Sequence, residues 1–392
     1  MKRICLIVLD SVGIGALPDA AKFGDEDAHT LGNILKKRGS LELPHLYSLG
    51  LSSIEDSRLP EFKAPQGAYG RLMEQSFAKD TTSGHWEICG LILKEAFRTY
   101  PEGFPKDLIE ELERKIGRKI IGNKVASGTE IIKELGDEHV TSKSPIIYTS
   151  ADSVLQVAAH EDIIPVEELY EICQKAYQLS AEKGYNIGRI IARPFSGKSG
   201  AYKRTENRRD FAVAPTEDTI LDALSNNGIA VHGVGKIEDI FSNKGITSSN
   251  HSTNNAAGID ATIQALKTQD AGLIFTNLVD FDMLYGHRND VEGYGKALEY
   301  FDSRLPEILE LLKEEDILMI TADHGCDPTT PSTDHSREYI PLVIYGKNIK
   351  PGDLGTRETF ADIGATIVDY FDLSPWKCGN TFLNKILRSV IF

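Results

Sequence analysis

The residues most able to do chemistry are Asp323 and His324 in the stretch TADHG at 321–325, together with His335, eleven positions after His324. Residues 316–320 (DILMI) come directly before and read as a short buried strand, so the Asp-His pair sits where a strand ends. In an open α/β sheet, that is where ligands bind. A carboxylate beside an imidazole, with a second imidazole returned by a loop, offers three donors to a divalent cation. Alone, the pair has an ordinary alternative in which Asp323 caps the turn and both histidines are polar loop residues.

Two other strand ends shift the balance. Residues 4–9 (ICLIVL) run apolar into Asp10, with SVGIG behind it as turn material, and residues 272–279 (GLIFTNLV) run into Asp280-Phe281-Asp282, with His287 five positions beyond Asp282. Three strand ends thus deliver Asp10, Asp282 and Asp323 with His287, His324 and His335, enough ligation for two metal ions. Cys326, two residues from His324, could add a soft donor or could simply fill the loop as a small residue.

The chain that must position these groups has 392 residues, length for about two domains with sizeable cores. Its 41% hydrophobic content is that of a globular protein, and its net charge of -15 argues against nucleic acid or an anionic membrane as the main partner. No segment has the length of a membrane span. The apolar run near the N-terminus is only six residues long and ends at Asp10, too short for a signal peptide. Five cysteines without CxxC spacing read as reduced thiols, and a cytoplasmic location is expected. Nothing in the pattern specifies an oligomeric state.

Three consecutive hydroxyls, Thr81, Thr82 and Ser83, precede Gly84 and a helix pattern. Hydroxyls at a helix start usually cap it, Ser83 above all. Beside two cations, one of them could instead become a nucleophile, with the helix N-terminus favouring an attached anion. Spacing does not choose among the three.

From about 96 to 210 the character changes to charged amphipathic helices and short strands. Within it, 148–153 (YTSADS) could bind sugar hydroxyls or form a plain turn. Residues 189–210 hold Arg189, Arg193, Lys198, Lys203, Arg204, Arg208 and Arg209 against Glu206 and Asp210, which suggests an anion site, since arginine suits phosphate. After 210 the α/β pattern resumes, with a strand at 229–234 leading to Lys236, a helix at 293–313 containing Pro306, and a strand at 340–345. The metal-type residues come from both ends of the chain, the pattern of a domain inserted into an α/β core.

Taken together, DSVGIG at 10–15, KDT at 79–81 leading to GHWE at 84–87, the stretch 277–282 with GHR at 286–288, and TADHG with TDH at 333–335 resemble the phosphopentomutase family of the alkaline phosphatase superfamily. The resemblance spans nearly the whole chain, including GNK at 122–124, ASGTE at 126–130 and IARPF at 191–195. It implies an alkaline-phosphatase-like α/β core, a mixed sheet between helices, built from 1–95 and 211–392, with a smaller α/β cap domain inserted at 96–210. It further implies two divalent metal ions, usually manganese, with Asp10, Asp323 and His324 on one, Asp282, His287 and His335 on the other, and Thr81 between them as the phosphorylated nucleophile.

Ser150, Asp152, Arg189, Arg204 and Lys236 match positions expected to hold the pentose phosphate. The implied reaction interconverts ribose or deoxyribose 1-phosphate with the 5-phosphate through a 1,5-bisphosphate, primed by a sugar bisphosphate, in nucleoside salvage. The alternative is a metal-dependent phosphohydrolase of the same superfamily. A mutase must keep water from the phosphothreonine, which is the purpose expected of the cap. Two departures from the family pattern stand out: Thr82 and Ser83 replace Met-Thr, and Cys326 replaces a familiar Asn.

Overall fold

The computed structural model describes residues 1–95, 97–150 and 153–388. They form two compact units, Met1–Glu95 with Pro215–Phe392, and Ala96–Ala214. The chain leaves the smaller unit at 214 rather than 210 because the strand Arg209–Ala212 is paired antiparallel with Arg189–Ser196.

The larger unit is built on an eight-stranded sheet in the order Ser248–Asn250, Val231–Val234, Gly272–Leu278, Arg3–Leu9, Asp316–Thr321, Ile340–Tyr345, Ala68–Leu72 and Gly352–Arg357. The first five strands are mutually parallel, and Ile340–Tyr345 runs antiparallel to both its neighbours, so the sheet is mixed. Arg3–Leu9, Gly272–Leu278 and Asp316–Thr321 are buried along their whole length. That explains why they are continuous apolar runs rather than alternating ones. Register then does the positioning: Val8 lies opposite both Asn277 and Thr321. The three central strands therefore end together, and the residues just past their ends, Asp10, Asp280 to Asp282, and Asp323, are released at one carboxyl-terminal edge.

One buried ion pair locks the opposite end of these strands. Arg3, fully buried, pairs with Asp316 and donates to the carbonyls of Leu266 and Gln269, each at 2.6 Å. Its sequence position suggested nothing more than a basic N-terminus. Breaking such a pair from one side costs on the order of 3–5 kcal/mol, because the other charge stays buried. The helix Val291–Glu310 contains Pro306 and buries Leu298, Phe301, Leu305 and Ile308. In the helix Ala361–Tyr370, Ile363 and Ile367 are core residues, whereas Phe371 falls just past its end and is half-buried.

The smaller unit has its own sheet, ordered Ile121–Val125, Ile146–Thr149, Val154–His160, Arg189–Ser196 and Lys203–Arg204. Alternation along Val154–His160 divides its core in two. Leu155, Val157 and Ala159 pack with Leu108, Leu112, Leu169 and Ile172 from the helices Lys106–Ile116 and Val166–Lys183, while Ala158 packs with Ile131, Ile132 and Phe195 around the helix Gly128–Ser142. Among the described residues, no helix is long and apolar enough to cross a membrane.

Candidate active site

Thr81 is the first residue of the helix Thr81–Ile88. Asp80 caps this helix, its side chain accepting from the backbone of Thr82 and Ser83, and Ser83 Oγ in return accepts from the Asp80 backbone at 3.2 Å. Ser83 is fully buried in this reciprocal cap, donating to the Asp80 carbonyl, so it is occupied with structure. Thr81 is different. Its Oγ1 lies 3.2 Å from Nε2 of His324. Of the three hydroxyls, it is the one joined to the histidine cluster.

The helix can lie this close because Gly84 has no side chain: a Cβ there would stand 2.0 Å from the carbonyl oxygen of Asp323. The approach is held from the other side by Arg337, two residues past His335. Arg337 is buried, pairs with Glu74 at 2.6 Å, and donates to the carbonyls of Ser76 and Ala78 at 2.8 and 2.5 Å. Those contacts fix the segment that leads into Thr81. The loop returning His335 is closed by pairing of Gly325 with Ser336, and Glu338 ties it to the first strand end, accepting from the backbone of Gly15 and Thr30. Gly13 and Gly325 both leave room for the Glu338 carboxylate, which a Cβ would meet at 2.4 Å in either case.

All six metal-type residues read from the sequence come together. Three overlapping groups have their donor atoms within 4.8 Å of one another: Asp10 with Asp323 and His324, Asp282 with His324 and His335, and Asp282 with His287 and Cys326. The first coincides with one expected set. The members of the second are spread over the other two groups, with His324 and Cys326 added. Asp282 links them, 3.1 Å from Nε2 of His287 and 3.5 Å from Nε2 of His335.

The imidazoles are oriented by their other nitrogens. Nδ1 of His287 donates to the Thr333 carbonyl at 2.7 Å, and Nδ1 of His324 to that of Gly325 at 3.0 Å, which leaves each Nε2 as the donor atom facing the carboxylates.

Electrostatically the cluster is incomplete without a cation. Burial, then the neighbouring Asp323 and Asp282, push the Asp10 carboxyl well above its usual range, against the pull of Lys236 and His85. Burial also opposes ionisation of Asp323 and Asp282, but the neighbouring imidazoles of His324 and His85 hold the first below its ordinary value, and those of His287 and His335 hold the second. His287 is raised to about 9, chiefly by its bond to Asp282. Buried like charges cannot all ionise without a countercharge.

Asp10 Oδ1, Asp282 Oδ1, Asp323 Oδ2 and His335 Nε2 are buried and carry no hydrogen bond among the described residues. Buried polar atoms are seldom left this way, and here four of them converge. Carboxylate and imidazole donors with orphaned lone pairs fit divalent cations.

Several contributors escaped the sequence reading. His85, fully buried, has Nδ1 2.8 Å from the Thr81 carbonyl and 3.1 Å from Asp323 Oδ2. Its four-residue spacing from Thr81 puts both on one helix face, a signal that was available. Asn277 donates to Asp10 Oδ2 at 3.0 Å, a polar residue inside an apolar strand. Ser11, in the left-handed region at φ 69°, donates its backbone N–H to Asp323 Oδ1 at 3.0 Å. Strain of that kind collects at functional sites.

The residues expected to hold substrate are less concentrated. Lys236 belongs to the larger unit and acts electrostatically on Asp10. In the smaller unit, Arg204 Nη2 donates to Tyr148 Oη at 3.3 Å, Arg189 lies 3.7 Å from Asp210, and Ser150 follows the strand Ile146–Thr149. Asp152 lies outside the described residues. Of the basic run, Arg208 is engaged by Asp210 at 2.7 and 2.6 Å and Arg209 stacks on Tyr170 and Phe211.

The family model described as Metalloenzyme superfamily matches residues 2–375. The phosphopentomutase of Caldanaerobacter subterraneus subsp. tengcongensis is 56% identical over 391 residues, 98% of either chain. That of Acetivibrio thermocellus is 57% identical over 389 residues, 99% of this chain and 100% of its own. Among solved structures, PH0037 from Pyrococcus horikoshii superposes with a TM-score of 0.52 at 16% identity, covering 97% of this chain and 99% of its own. Phosphoglycerate mutase from Leishmania mexicana gives 0.50 at 12% identity, covering 97% of each. At such identities the last two establish the fold alone.

Proposed function

The chain belongs to the phosphopentomutase family of the metalloenzyme superfamily, and on that premise we propose that Thr81 is the residue through which it moves a phosphoryl group between the two ends of a pentose. It is an enzyme of the isomerase type, interconverting ribose or 2-deoxyribose 1-phosphate with the 5-phosphate in nucleoside catabolism and salvage. The observation that carries the assignment of Thr81 is its hydrogen bond to His324 at the head of a capped helix.

Asp10, Asp323 and His324 would hold one divalent cation and Asp282, His287 and His335 a second, with manganese the expected ion. Such cations supply neutralisation of the phosphoryl oxygens and of the attacking and leaving oxygens. The chain's own groups do the rest. Asp80 fixes Thr81 at the helix start, where backbone N–H groups and the helix dipole favour the phosphorylated side chain. His324, with Nδ1 committed to Gly325, has Nε2, the atom it would offer the cation, 3.2 Å from Thr81 Oγ1, so the hydroxyl stands beside the position that ion would take.

In the forward direction the bond from phosphorus to Thr81 Oγ1 breaks as one forms to the free sugar hydroxyl, whose proton is lost, giving the 1,5-bisphosphate. The bisphosphate then returns its other phosphoryl group to Thr81 Oγ1, and the product oxygen regains a proton. A sugar bisphosphate would prime the first cycle. Arg204 and Arg189, with Ser150 and Asp152, are assigned to the sugar phosphate as the role of the inserted unit, and Lys236 to the same substrate from the core. All five cysteines are unpaired, which supports a reducing, cytoplasmic setting.

The test is to incubate the protein with manganese, ribose 1-phosphate and a trace of a sugar bisphosphate, measuring ribose 5-phosphate and free phosphate together, with Thr81→Ala alongside. Ribose 5-phosphate without phosphate release is expected, and Thr81→Ala should lose turnover and phosphate labelling together. Label retained in Thr81→Ala would move the nucleophile to another hydroxyl.

A further inference from the structure

Cys326 has no part in the chemistry assigned above, yet its sulfur lies among the donors. Its Sγ, an Asp282 oxygen and a His287 nitrogen are all within 4.8 Å of one another. The side chain is 1% exposed, and its backbone N–H donates to the Ser11 carbonyl at 3.1 Å, so the sulfur is held by the fold rather than by an exposed loop.

Gly286, the residue before His287, leaves space for it: a Cβ at 286 would stand 2.8 Å from Sγ. Asp282 Oδ1, in the same group of side chains, is buried and carries no hydrogen bond among the described residues. Metal bonds to nitrogen, oxygen and sulfur run about 2.0–2.3 Å, so donors sharing an ion stand at most roughly 4.4 Å apart, and this trio needs little adjustment to meet one.

We propose that Cys326 is itself a metal ligand, forming with Asp282 and His287 a carboxylate, imidazole and thiolate site that prefers zinc, cobalt or cadmium to manganese. The inference rests on the reading of Asp282 and His287 as ligands, and differs from it in adding a donor and a selectivity. Thiolate is a soft ligand and shifts preference toward those ions, whereas Asp10, Asp323 and His324 remain a site for harder ones. On binding, the S–H bond breaks, its proton passes to water, and the sulfur donates a lone pair to the ion; no electron is transferred. Among the described residues, Cys5, Cys89, Cys173 and Cys378 belong to no such donor group, so a thiolate signal would report Cys326 alone.

The experiment is cobalt titration of the metal-stripped full chain, reading bound cobalt and the near-ultraviolet thiolate-to-cobalt charge-transfer band, for the native protein and Cys326→Ser. The native protein should show the band and the variant should lack it. Cadmium affinity should fall by more than about tenfold in the variant, a ligand lost being worth at least what an outer-shell partner is, and by more than manganese affinity does, since thiolate favours the softer ion. Cobalt bound by the native protein without the band, or a band persisting in Cys326→Ser, overturns the inference and leaves the metal reading of Asp282 and His287 standing. No cobalt bound at all overturns both.

Discussion

Replacing Gly84 by Ala measures how tightly the helix carrying Thr81 must lie against the strand end carrying Asp323. Two effects of opposite sign compete. Alanine in a helix interior is favoured over glycine by about 1 kcal/mol. Against this, the new Cβ would stand 2.0 Å from the Asp323 carbonyl oxygen, 2.8 Å from its carbonyl carbon and 3.0 Å from its Cβ. None of these is the far end of a flexible side chain, and Asp323 is pinned by the Ser11 N–H at 3.0 Å.

Reaching ordinary contact at 3.4 Å requires a separation of roughly 1.4 Å. An eight-residue helix moves as a body, so Thr81 goes with it, and its 3.2 Å contact with His324 is lost. Overpacking of this kind costs about 1–3 kcal/mol, more than the propensity gain, and a misplacement near 1 Å costs about 100-fold in rate. The expected result is a folded protein with a lowered urea midpoint and kcat on ribose 1-phosphate down about two orders of magnitude. A Gly84→Ala variant with native turnover, or with a raised midpoint, would refute the reasoning, because the helix would then have room that the structure denies it.

Other consequences can be checked with the same protein. Manganese at 100 times its Kd should stabilise the larger unit by about 2.7 kcal/mol, and a chelator should reverse the gain. A carboxyl whose folded pKa is raised costs stability as pH climbs past its unfolded value near 3.9. Asp10→Asn should therefore raise the metal-free midpoint at pH 7 while weakening the manganese shift, and a lowered metal-free midpoint would contradict the crowding of carboxylates.

In the smaller unit, His139 is buried neutral, Nδ1 donating to Ser144 O at 2.7 Å and Nε2 accepting from His160 N–H at 2.9 Å, and burial lowers its pKa. Its contribution should be complete above about pH 6.5 and fall away as pH drops below that value, since the unfolded chain then binds the extra proton. His139→Gln should flatten the pH dependence of the urea midpoint between about 5 and 7, and an unchanged slope would sink the idea. Arg204→Ala should raise KM for ribose 1-phosphate by about 10- to 100-fold, the worth of a charged hydrogen bond to phosphate of roughly 1.5–3 kcal/mol; unchanged saturation would remove Arg204 from the substrate site.

The features legible in the sequence and those hidden from it divide along a physical line. Apolar runs ending in Asp10, Asp280 and Asp323 are visible because a strand buried on both faces must be continuously apolar, and the residue after it must satisfy a different environment. The composition change at about 96 is visible for a different reason, since the helices Lys106–Ile116 and Val166–Lys183 bury one face and leave charged residues on the other. Hydroxyls at 81–83 were legible as a group, but their roles depend on the helix turn each occupies relative to His324, a partner 243 positions away from Thr81.

The sequence by itself therefore determined the class of fold, the donor inventory and the family. Tertiary structure decided the rest: that Val8 lies opposite both Asn277 and Thr321, so the strand ends coincide; that Gly84 admits the Asp323 carbonyl; that His85, Asn277 and Ser11 close around the carboxylates; and that Cys326 stands with Asp282 and His287. Periodicity records which faces are buried, a property each segment carries alone. Register and close approach belong to pairs of segments distant in the chain, and only folding brings those pairs together.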